Sequence, residues 1–125
     1  MLWEREVLDG VGEEGIERLI REFYAQVPDD SILGPMYPAD EMEEAEVRLR
    51  DFIIGRLGGP QRYIEQRGHP RLRQRHMPFE IDEAARDRWV ELMENAFARS
   101  DFPEELGAPL RQFFGEVATF LINRR

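Results

Sequence analysis

Apolar residues recur along this chain with helical rather than strand spacing. Between Gly15 and Val27, the residues Ile16, Leu19, Ile20, Phe23, Tyr24 and Val27 fall at i, i+3, i+4, i+7, i+8 and i+11, one continuous stripe on a helix face. Pro28 disfavours helical geometry at Val27, and Asp29-Asp30-Ser31, Gly34-Pro35 and Pro38 then form a connecting turn around Ile32, Leu33, Met36 and Tyr37. Asp40 followed by Glu43 reads as a capping pair that opens a helix through Arg56, with Ala45, Leu49, Phe52 and Ile53 on its buried face. Gly58-Gly59-Pro60 ends it. Pro60 and Gly68 bound a short helix presenting Tyr63 and Ile64, and a second short segment runs from Arg71 to His76, closed by Pro78. Asp82 is the expected N-cap of a long helix to about Arg99, which carries Trp89, Leu92, Met93, Ala96 and Phe97 at helical spacing. A last helix spans about Pro109 to Asn123 behind Leu110, Phe113, Phe114, Val117, Phe120 and Leu121. No stretch sustains strand alternation and no repeat is visible, so the pattern predicts an all-α fold.

Composition narrows what such a fold can do. A length of 125 residues predicts a single domain, residues 1–125, with room for one core. Hydrophobic residues at 42% with charged residues at 34% fit a globular chain and not a disordered one. No apolar run approaches the roughly 18 to 20 residues that cross a bilayer, and the acids of Met1-Leu2-Trp3-Glu4-Arg5-Glu6 spoil a signal peptide, so no membrane is expected and the location reads as cytoplasmic. The absence of cysteine excludes disulfides, zinc-cysteine sites, iron-sulfur clusters and thiol nucleophiles. A formal net charge of -9 opposes binding to a phosphate backbone, so nucleic acid is not an expected partner. All 17 basic residues are arginine, which also removes lysine Schiff bases and the phosphate-binding P-loop.

What chemistry remains centres on two histidines, His69 and His76, either side of a short arginine-rich segment. One surface histidine and one packed histidine is the ordinary reading of such a pair. Yet an apolar rim, Met77-Pro78-Phe79-Glu80-Ile81, follows His76 directly, and an imidazole on a short helix facing an apolar slot is how haem iron is held on its proximal side. Tyr24 and Trp89 lie on the buried stripes of two long helices, where packing with a local hydrogen bond is the plain alternative to a role. Tyr37 sits between prolines in a rigid turn, and three such donors around one slot would suit dioxygen. Arg67, Arg71, Arg73 and Arg75 form a basic rim, explained either by solvated ion pairs or by anchoring of two carboxylates such as haem propionates. The acids from Asp40 to Glu46 look like a solvated helix start, and no His-x-x-x-His or Glu-x-x-His spacing supports a non-haem metal.

Several stretches together resemble one family. Phe23-Tyr24-Ala25-Gln26-Val27, Tyr37-Pro38, Gly58-Gly59-Pro60 and above all the run from Gln66 through His76 to Phe79 are similar to the group II truncated haemoglobins, with the match extending from about residue 9 to 121. The resemblance implies a two-over-two helical sandwich around haem b, iron protoporphyrin IX, with a proximal helix reduced to a single turn. It implies His76 as the iron ligand, and Tyr24, Tyr37 and Trp89 as the distal residues that stabilise the bound ligand. Ala45 then stands where ordinary globins place a distal histidine. Leu49, Phe52 and Ile53 become distal haem contacts; Leu72, Phe79, Ile81 and Met93 become proximal or rim contacts; Arg48, Arg75, Tyr63 and His69 become candidates for the propionates. Two departures stand out: the usual glycine pair between the first two helices is Gly12-Glu13, and the distal turn carries a tyrosine where many members have phenylalanine.

Three readings follow. The first is a haem protein that reversibly binds dioxygen and other diatomics, suited to oxygen binding or transport, as a monomer or homodimer. The second is a haem redox enzyme, peroxidase-like or converting nitric oxide to nitrate, which needs an external reductase. The third is a cofactor-free helical module whose acidic face meets a partner, which predicts a filled core.

Overall fold

The computed structural model describes residues 2–124. Six α-helices account for most of these residues: α1 (Leu2–Gln26), α2 (Met42–Arg56), α3 (Arg62–Arg67), α4 (Leu72–His76), α5 (Glu83–Arg99) and α6 (Glu104–Phe120), with three short 3-10 turns between α1 and α2. No strand occurs among the described residues. The fold is the all-α two-over-two sandwich: α1 packs along α2 in one layer and crosses α5 and α6, which pair in the other.

The stripe read from Gly15 onward is the buried face of α1, where Ile16, Leu19, Ile20, Phe23 and Val27 are 0% exposed. Facing them are Ile53 and Ile54 of α2, Met93, Ala96 and Phe97 of α5, and Leu110 and Phe114 of α6. Each such side chain stabilises the fold by about 1.5 to 3 kcal/mol relative to exposure, so this cluster holds the layers together. An aromatic chain, Phe23 to Trp89 to Phe114 with centroids 5.1 and 5.5 Å apart, crosses from α1 through α5 to α6.

Three boundaries differ from the sequence expectation. The span α1 begins at Leu2, upstream of Gly15, and consists of two helical arms joined at a kink at Gly12, the corner the resemblance placed there, whose φ of 69° and ψ of 176° suit glycine alone. Val7 on the first arm is buried, and Gly12 is the residue inside this span that leaves helical geometry. Helix α2 opens at Met42 with no side-chain cap; Asp40 lies in the turn Ala39–Glu41, and Glu43 and Glu44 favour the helix start by charge. Helix α6 starts at Glu104, so Pro109, read as its start, is its sixth residue and lies inside the helix, where its missing N–H leaves the Glu105 carbonyl without an i→i−4 partner. Asp82 does cap α5, accepting the Ala85 amide at 2.8 Å.

After α2 the chain reverses through Gly58 and Gly59. A Cβ on Gly59 would stand 2.8 Å from Ile54 Cγ2 and 3.0 Å from Leu8 Cδ2, so only glycine allows this approach to the first arm of α1. The reversal sets α3 and α4 beside the sandwich, where they wall a cavity instead of filling a core.

Candidate functional site

A cavity of about 540 Å³ opens between the end of α1, the distal turn, α2, the α3–α4 segment, α5 and α6. Its walls are mainly apolar, and polar groups enter at three places.

On one wall stand Tyr24, Tyr37 and Trp89. The Tyr24 and Tyr37 rings meet edge to face with centroids 5.6 Å apart. Burial pushes the Tyr24 phenol well above the ordinary tyrosine range, helped by Tyr37 and opposed by the charge of Arg48. Tyr37 is raised too, again by burial, although the Trp89 and Tyr24 side chains at its oxygen and the Arg48 charge pull the other way. Both phenols therefore keep their protons at neutral pH and remain donors. The turn that carries Tyr37 is built by Asp30, which the sequence places in this turn without assigning it a partner. Asp30 accepts the Ile32 and Leu33 amides at 3.0 and 2.8 Å, and its other oxygen pairs with Arg88 Nε at 3.2 Å. The turn is thus tied to α5 one residue before Trp89. The Asp-Ser-Ile-Leu-Gly sequence is a local signal for such an Asx turn; its distant arginine partner has none.

The opposite wall is α4. His76 Nδ1 donates to the Leu72 carbonyl at 2.7 Å, since a carbonyl can only accept. That bond fixes the tautomer and leaves Nε2 as the nitrogen with a free lone pair, on a histidine that lines the cavity. Leu72, Phe79 and Ile81 line the same side. Arginines and a tyrosine form the rim: Arg48, Tyr63, Arg67 and Arg75. Arg75 is held there, donating to the Arg67 carbonyl at 2.8 Å with its guanidinium 5.7 Å from the Tyr63 ring centroid. Ala45, Leu49, Phe52 and Ile53 of α2 complete the distal wall.

Of the residues singled out in the sequence, four are not brought to this cavity: His69, Met93, and Arg71 and Arg73 of the expected basic rim. His69 is exposed on the loop ahead of α4 and does not line it. Met93 is 1% exposed in the core, one turn beyond Trp89, and does not line the cavity. Residues that sequence reasoning did not single out for the site but that line it include Leu33, Met36, Arg86, Phe113 and Val117.

A sequence profile of bacterial-like globins matches residues 6–122. The chain is 34% identical over 116 residues to the group 2 truncated hemoglobin of Bacillus subtilis, covering 93% of this chain and 79% of the relative. It belongs to the group II truncated haemoglobins. A thermostable hemoglobin from Thermobifida fusca superposes with a TM-score of 0.87 at 41% identity, covering 96% of each chain. The hemoglobin of Chloroflexus aurantiacus gives a TM-score of 0.89 at 37% identity, covering 94% of this chain and 98% of that one. Membership of the truncated haemoglobins implies a haem cofactor and haem-based binding of diatomic gases such as oxygen. This replaces the reading of a cofactor-free helical module. The cavity agrees with a haem on its own terms: a mainly apolar volume of about 540 Å³, a histidine with one nitrogen already committed to the backbone, and arginines in the lining for carboxylates. Among the described residues no helix is long and apolar enough to cross a membrane.

Proposed function

We propose that this truncated haemoglobin holds haem b through His76 Nε2 and binds dioxygen and other diatomics on the face lined by Tyr24, Tyr37 and Trp89. Bound there, the haem would supply an iron able to take up a small diatomic ligand. The observation that carries the reading is the pairing of the Leu72-anchored His76 with two protonated phenols and an indole across a single cavity. The Leu72 carbonyl orients the imidazole and raises its basicity as a ligand. Arg48, Arg67 and Arg75 are the groups suited to propionates, with Arg75 already immobilised over Tyr63.

On the distal face, hydrogen-bond donors favour a ligand that gathers negative charge over a neutral one. Each donor to a charged acceptor contributes about 1.5 to 3 kcal/mol, a factor of roughly ten to over a hundred in affinity. Three donors in one apolar wall therefore point to slow oxygen release, which fits sensing, scavenging or redox turnover better than bulk transport. In the redox case electrons come from an external reductase.

The test is spectroscopic and kinetic. The purified protein should show a Soret band and a stable oxygenated form, and His76→Ala should lose normal haem content and spectrum. Tyr24→Phe and Trp89→Phe should each raise the oxygen off-rate. A His76→Ala protein with unchanged spectrum would remove the proximal assignment, and off-rates within twofold of the parent in both distal variants would remove the distal one.

A further inference from the structure

The element that carries His76 cannot hold itself in place. Helix α4 has five residues, too few for a stable isolated helix, and it opens from Arg71 in a left-handed conformation with φ of 46°. None of the other helices packs extensively along it. The chain that follows, residues 77–82, has no regular structure, and Met77 and Phe79 are 55% and 41% exposed.

One side chain from the far end of the sequence closes this segment. Asn123, beyond the end of α6, accepts the Ile81 amide at its Oδ1 at 2.9 Å. Its Nδ2 donates to the Phe79 carbonyl at 3.0 Å and to the His76 carbonyl at 3.3 Å. The Asn123 and Arg124 backbone amides both donate to the Ile81 carbonyl, at 2.8 and 3.1 Å. Among the twenty side chains only a carboxamide offers an acceptor and two donors on one plane; an aspartate would set an oxygen against two carbonyls. A residue meant only to finish α6 would need none of these bonds, since Leu121 and Ile122 already donate to the last turn of that helix.

From this geometry we infer that Asn123 is a positioning residue for the proximal ligand: it fixes the C-terminal end of α4, and through it the orientation of the His76 imidazole toward the haem iron. His76 is thereby held from both sides, by the Leu72 carbonyl at its Nδ1 and by Asn123 at its own carbonyl. The C-terminal residues are part of the haem site although Asn123 does not line the cavity. The inference rests on the reading of His76 as the iron ligand.

The experiment compares the haem-loaded parent with Asn123→Leu, Asn123→Asp and Leu110→Ala. Leu110 lies in the core of α6 away from the cavity, so its truncation destabilises the fold without touching α4. The readouts are the iron–histidine stretching band of the ferrous protein and hydrogen exchange at the Ile81 amide. Both Asn123 variants should shift or broaden the band, and Asn123→Leu, which removes the acceptor of the Ile81 amide, should speed Ile81 exchange by about tenfold or more, as expected for loss of a structural hydrogen bond. Leu110→Ala should lower thermal stability and leave the band in place. An unmoved band in a haem-loaded Asn123 variant would overturn the inference, as would a shift of the same size in Leu110→Ala. If neither Asn123 variant takes up haem, exchange in the parent decides: an Ile81 amide no slower than an exposed loop amide overturns it, and a protected one sustains it. Failure of the underlying reading looks different, because the parent itself would then lack a histidine-ligated spectrum or His76→Ala would retain one.

Discussion

Asp30→Ala tests how far the distal wall depends on polar anchoring outside the cavity. The carboxylate, 8% exposed, accepts two backbone amides and pairs with Arg88. Arg88 keeps a second carboxylate, Glu91, at 2.7 Å and is 36% exposed, so the lost ion pair contributes at most about 1 kcal/mol. The amides matter more. Leaving two part-buried donors without an acceptor costs about 1 to 3 kcal/mol each, and partial rehydration of an opened turn places the sum near 2 to 4 kcal/mol. With a urea dependence of about 1 to 3 kcal/mol per molar, the denaturation midpoint at fixed haem concentration should fall by about 1 to 2 M. Asp30→Asn keeps an oxygen for the amides and should lose about 1 kcal/mol. Because the turn delivers Tyr37, Asp30→Ala should also speed oxygen release in stopped-flow displacement, in the direction of Tyr37→Phe. A midpoint within about 0.2 M of the parent, together with an unchanged off-rate, would refute the argument that Asp30 organises the distal turn.

Two further outcomes follow from backbone and burial. Gly12→Ala meets nothing within 4 Å at the new Cβ, so its effect is purely conformational: a non-glycine at φ 69° costs about 1 to 3 kcal/mol, and thermal or urea denaturation should show a loss of that size without a changed spectrum. Alkaline stability should depend on the buried phenols. An unfolded tyrosine ionises near pH 10, whereas Tyr24 and Tyr37 are raised above that in the fold, so above about pH 10 the unfolded state binds fewer protons and stability falls as pH rises through the folded values. Urea midpoints measured from pH 9 to pH 11 should decline less steeply in Tyr24→Phe with Tyr37→Phe than in the parent, and parallel curves would contradict the burial of these groups.

How much of this was legible along the chain depends on what kind of contact each residue makes. The stripe from Ile16 to Val27 and the Asp82 cap were readable because both are local: one repeats every turn of helix, the other bonds an amide three residues on. Tyr24, Trp89 and the α2 residues from Ala45 to Ile53 could be assigned to inner faces on the same ground, and the structure brings them to one cavity with His76. Met93 shares the helical spacing of Trp89 but lies in the core, at a depth no periodicity encodes. His69 gave only a residue type next to a motif, and its loop faces solvent. The first arm of α1 lies ahead of that stripe, across the kink at Gly12, and periodicity did not mark it.

The long-range anchoring by Asp30 and Asn123 was invisible for a stronger reason. Their partners lie far away in sequence, Asn123 meeting His76 across 47 residues, and a polar residue in a loop carries no period that names its partner. Apolar periodicity therefore locates the walls of the cavity, while the orientation of its two chemical ends is decided by polar anchors outside it. Asp30 holds the turn that bears Tyr37, and Asn123 holds the end of the helix that bears His76. Two family members with the same cavity lining can accordingly differ in ligand release through these anchors alone, because a hydrogen bond lost at either end frees the backbone on which the lining residue rides.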